Sequence, residues 1–139
     1  MPSEESQDNA KKLIDTVDEL REDAKGKLAE AFQAAYDAQI EYMKASSAYA
    51  TAGTNYALGQ ISAADYSSAV ETFVKAAGTW TTRQHWADAA NTFFQNSASG
   101  LVTAQTQLMY GQIEEAEQQV PGVIELLKSS IRFAEATRG

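Results

Sequence analysis

The chain has 139 residues, 44% hydrophobic and 22% charged, with a formal net charge of −8. That length suffices for one domain with a sizeable core, and the acidity argues against nucleic acid or an anionic membrane as the main partner, since both demand a basic surface. With no cysteine, disulfides, thiolate chemistry, cysteine zinc sites and covalent haem attachment are excluded.

The opening stretch MPSEESQDNAKK is acidic and polar, with no apolar run behind it. It predicts a flexible segment over 1–6 and no cleavable signal peptide. No run approaches the roughly 18 apolar residues of a membrane span, so no transmembrane segment is expected. The expected location is cytoplasmic or inside a virion.

A first helix is predicted over 7–58. Leu13, Val17, Leu20, Ala24, Leu28, Ala31, Ala35, Ala38, Tyr42, Ala45, Tyr49 and Ala52 recur in steps of three and four, while Asp15, Asp18, Glu22, Gln33, Asp37 and Glu41 take the other face. Within that stripe Ala24, Ala31, Ala38, Ala45 and Ala52 form a small-residue seam.

The stretch NYALGQISAADYSSAV then reads as a tight turn. Gly59 suits the left-handed residue past a helix end. Ser62 with Asp65 three residues on resembles a capping box, and Ile61 with Tyr66 is placed as a hydrophobic staple. A turn this short makes its two helices antiparallel neighbours. The phrase YALGQISAADY resembles the helical-hairpin turns of outer-membrane efflux channel proteins. The resemblance covers one turn, with no signal peptide or strand segments to extend it, and implies no function.

A second helix is predicted over 63–118. Tyr66, Phe73, Trp80, Ala87, Phe94, Leu101 and Leu108 stand seven residues apart, which implies a coiled-coil-like seam. A companion line, Val70, Ala77, Gln84, Asn91, Ala98, Gln105 and Gln112, turns polar in its middle, as residues that fix register do. Bulky residues of this helix are expected to fill the space left by the alanines of the first. Gly78, Gly100 and the β-branched run Thr79–Thr82 leave a second arrangement open, with breaks near 79–82 and 97–100. The fold class is therefore all-α over a single helical domain, 1–139: a long antiparallel hairpin with a shorter third helix, or an up-and-down bundle of four or five helices. The third helix is predicted over 121–137, opened by Pro121.

Residues 45–113 carry only five charged side chains, Asp65, Glu71, Lys75, Arg83 and Asp88, yet hold nine of the thirteen aromatics. A solvated helix ordinarily carries a charged outer face. Either the Ser, Thr and Gln residues solvate this surface, or something covers it. Trp86 and Phe93, one position off the bulky seam, are candidate contact residues, with Tyr110, Val102 and Met109 beside them; the alternative is cover by the chain's own C-terminal helix.

No chemistry-bearing constellation stands out. His85 is the one histidine, too few for the usual imidazole sets of zinc, iron or copper, with Asp88 in reach of a hydrogen bond. Glu114, Glu115 and Glu117 are expected to solvate the end of helix two. No phosphate-cradling glycine motif or nucleophile elbow is present. The expectation is a non-enzymatic structural or assembly protein that self-associates through helix–helix packing, as a filament, shell or virion subunit or a scaffold. No cofactor or metal is expected, and the partner is a second copy or another helical protein. Two other classes are open: an amphipathic coat on an apolar particle such as a storage granule, and a helical adaptor or small-ligand or haem-binding bundle using His85.

Overall fold

The heptads of the sequence are drawn out in two long helices. The computed structural model describes residues 3–138, which form α1 (Glu4–Ala57), α2 (Ala63–Met109) and α3 (Ile113–Ala136), all-α among the described residues. At 1.5 Å per residue, α1 is about 80 Å long, α2 about 70 Å and α3 about 36 Å. α2 passes through Thr79–Thr82 and Ser97–Gly100 without a break.

The first turn closes through its glycine. Gly59, at φ +73, donates its N–H to the Tyr56 carbonyl at 3.0 Å, and Gln60 donates to Asn55 at 2.8 Å. This pair of bonds satisfies the last carbonyls of α1 as a left-handed cap does. Ser62 opens α2, its Oγ accepting from Asp65 N–H at 3.1 Å.

Three boundaries differ from expectation. Residues 4–6 are helical rather than flexible, because Ser3 accepts the Ser6 N–H at 3.1 Å and caps α1; Met1 and Pro2, like Gly139, lie outside the described residues. α2 ends at Met109 rather than near Gln118, and α3 begins at Ile113 rather than Pro121. The cause is Gly111, at φ +76, whose N–H donates to Leu108 at 3.1 Å while Gln112 donates to Gln107 at 2.8 Å. This is the same pair of hydrogen bonds as at Gly59, and the residues repeat: Leu-Gly-Gln-Ile at 58–61, Tyr-Gly-Gln-Ile at 110–113. Pro121 therefore sits inside α3, exposed, while Val120 and Val123 beside it are buried. Burial of that face holds the helix across the missing N–H. Glu114 and Glu115 consequently occupy the first turn of α3, where carboxylates oppose the positive helix end, rather than the end of helix two.

α3 covers only part of the hairpin. Its C-terminal end is tied back by an Arg138–Glu30 ion pair at 2.8 Å. Along α2 it meets Gly100 through Val123, and its Ser130 Oγ donates to the Ala90 carbonyl at 2.8 Å. The core gathers here: Ile14, Val17, Ala24, Leu28 and Ala31 from α1, Ala87, Ala90, Phe94, Leu101 and Ala104 from α2, Val120, Val123, Leu127 and Ala134 from α3. The lower half of the molecule is thus a three-helix bundle. Beyond it α1 and α2 continue as a two-helix arm ending at the Gly59 turn.

Candidate interaction surface

The arm begins where α3 stops. At the junction Arg83, half-buried, donates from Nη1 to the Ala34 carbonyl at 3.2 Å and so ties α2 to α1. From here to the tip the two helices meet through aromatic rings. Trp80, Phe73 and Tyr66 of α2 interleave with Tyr42, Tyr49 and Tyr56 of α1, each set spaced by seven. Centroid distances are 5.0 Å for Tyr42–Trp80, 5.5 Å for Tyr42–Phe73, 5.0 Å for Tyr49–Phe73, 6.1 Å for Tyr49–Tyr66 and 5.0 Å for Tyr56–Tyr66. Such offset and tilted pairs contribute beyond their buried area. The Tyr66 phenol is held above its ordinary pKa by hydrogen bonding with Tyr49 first, then by repulsion from Tyr49, desolvation and repulsion from Tyr56.

The ladder does not make a core. From residue 46 to residue 86 no side chain is fully buried; Tyr56 keeps 45% of its surface, Val74 62% and, at the tip, Leu58 66%. The seam residues divide accordingly. Ala24, Ala31, Ala38, Ala45, Phe94 and Leu101 are buried, while Ala52, Tyr66, Phe73, Trp80 and Leu108 are half-buried. In the arm the bulky line of α2 also stacks on Tyr42, Tyr49 and Tyr56 of α1. In the bundle Phe94 receives the Arg21 guanidinium at 4.7 Å from its centroid.

No family model, curated protein or solved structure matches the chain.

Trp86 and Phe93 find an intramolecular partner. Phe133 of α3 lies between them, 5.2 Å from Trp86 and 5.3 Å from Phe93, with interplanar angles of 14° and 7°. Both are half-buried, and the cover is the chain's own third helix. Val102, Met109 and Tyr110 are exposed, at 60%, 80% and 75%. They sit at the bundle end, far along α2 from the arm. Gly59, Ser62 and Asp65 form the tip turn as described, and Ile61 is half-buried beneath it.

The polar candidates are dispersed. His85 is exposed, its ring edge-on to Trp86 at 5.1 Å, and Asp88 accepts from Gln84 at 3.0 Å. The polar line expected inside the interface is not buried: Gln84 and Asn91 are half-buried, Gln105 and Gln112 exposed. Among the described residues no three His, Cys, Asp or Glu side chains gather as metal ligands do, and no helix is long and apolar enough to cross a membrane.

The sequence reading missed the Tyr42–Tyr49–Tyr56 series as a ladder. Its signal is heptad spacing, masked because Tyr42 and Tyr49 also belong to the general apolar stripe of α1. It also missed Phe133 as the stacking partner, which no local pattern encodes.

Proposed function

We propose that the protein is a non-enzymatic structural or assembly protein that self-associates through helix–helix packing, with the arm as its contact element. One observation carries this reading: residues 46–86 form two helices without one fully buried side chain, while carrying the ladder and few charges. Two helices alone bury too little to offset the entropy of ordering them, and exposed apolar surface of this kind usually serves association. A third and fourth helix from another molecule would complete the arm as α3 completes the bundle.

The test is the mass in solution. Sedimentation equilibrium is expected to show an average mass rising with concentration to a multiple of 15.1 kDa. A mass fixed at the monomer value over the accessible range overturns the reading. Variants at Trp86 and Phe93 are unsuited to this test, since they would strip α3 from its seat as well.

A further inference from the structure

The seat that α3 occupies does not end with α3. Beyond its last turn a cleft of about 550 Å³ is lined by Gly78, Thr79, Arg83, Trp86, Ala136 and Thr137. It runs on into a groove between the arm helices, walled by Ala38 and Glu41 of α1 and by Thr72, Ala76 and Thr79 of α2. Lys75, Thr79 and Arg83 line both, so cleft and groove adjoin each other beyond the end of α3.

We infer that the occupant of the groove is the arm of a second copy, laid antiparallel, so that two arms form a four-helix bundle with its two-fold axis at the level of Phe73. This rests on the self-association reading above and specifies its geometry. Three observations choose this occupant. First, the groove adjoins the cleft at the end of a helix seat, and its small side chains, Ala38, Thr72 and Ala76, permit close helix approach. Parallel arms would bring both α3 helices to the same end and face, whereas antiparallel arms place them at opposite ends.

Second, the free part of α2 is charge-complementary to itself. Past Asp65 in its first turn, Glu71 and Lys75 are its charged residues, both exposed. Among the described residues the ion pairs are Lys44–Glu41 and Arg138–Glu30, so neither Glu71 nor Lys75 is paired within the chain. They stand symmetrically two residues either side of Phe73. A two-fold axis at that level sets Glu71 of each copy against Lys75 of the other, the reciprocal pairing an isologous interface requires.

Third, the lengths agree. Eleven residues separate Phe73 from Ser62 at the arm tip, and ten separate it from Arg83 at the end of the α3 seat. Antiparallel arms centred at Phe73 therefore bring the second copy's exposed Leu58 to the level of the cleft at Ala136 and Thr137.

Charge reversal tests the axis. Glu71→Lys and Lys75→Glu, each alone, turn two symmetric attractions into repulsions and are expected to weaken the dimer about tenfold at low salt. An equimolar mixture of the two variants restores opposite charges across the axis and is expected to recover wild-type affinity as a heterodimer. The lack of native cysteine allows a second readout. Thr72→Cys is expected to cross-link between copies with a short thiol-reactive linker, and Thr103→Cys, on the exposed face of the bundle, is not. A wild-type oligomer whose affinity ignores both reversals, or that cross-links equally at both positions, overturns the arm-to-arm geometry and leaves self-association standing. A wild-type chain that stays monomeric overturns both.

Discussion

The distance between α2 and α3 is set by one absent methyl. A Cβ built on Gly100 would lie 2.6 Å from Val123 Cγ2, well inside contact distance. Gly100→Ala is expected to destabilise the protein by about 1–3 kcal/mol through overpacking, although alanine is the better helix former. In combination with Val123→Ala the cost should be smaller than the sum, and the coupling is read from urea midpoints in a double-mutant cycle. Additive costs would show that the close approach is not the cause. Pro121 makes the opposite case. It is exposed, within α3, and withholds an N–H from the helix ladder. Pro121→Ala is expected to raise stability by up to about 3 kcal/mol, seen as a higher melting temperature. No gain would mean that the proline holds a bend the packing needs.

At the scale of the elements, the ladder links arm packing to pH. Folding holds the Tyr66 phenol above its ordinary value, with hydrogen bonding to Tyr49 the leading cause. The folded state thus binds this proton more tightly than the unfolded chain. The resulting stabilisation is complete below about pH 10, the ordinary phenol range, and is lost as pH climbs through the raised value. Near-ultraviolet dichroism of the ladder should therefore fade above that range, and Tyr66→Phe should remove this part of the fading. A variant fading as wild type does would place the effect elsewhere. The same elements show what a sequence can carry. α1 and the Gly59 turn were legible because stripe, cap residue and glycine all report one local event. The second turn was not, since Gln112 supplies no capping side chain and Pro121 offered a plausible but false start. The repeated Gly-Gln-Ile was the better guide. The heptads of α2 were legible as a seam, but not which rings they would meet. Tyr42, Tyr49 and Phe133 are paired with their partners by the way the chain turns back, and that is decided at long range.

On the scale of the whole molecule, one continuous pair of helices passes through two different environments. Below Arg83 each helix has two neighbours and a shared core; above it each has one neighbour and half-exposed rings. Cooperative units follow buried contacts, so the arm should open without the bundle. In dilute solution, hydrogen exchange of residues 46–57 and 63–82 is expected to proceed through openings at least about 2 kcal/mol less costly than those exposing 87–104 and 116–134. Association adds a term that grows with the concentration of free partner relative to the dissociation constant, and every opening that releases the partner must overcome it. Raising protein concentration should therefore slow exchange in the arm. Arm exchange that ignores concentration would mean that the contact surface lies elsewhere. Protection already uniform in dilute solution would mean that the aromatic ladder, without any further helix, joins the arm to the bundle as a single cooperative unit.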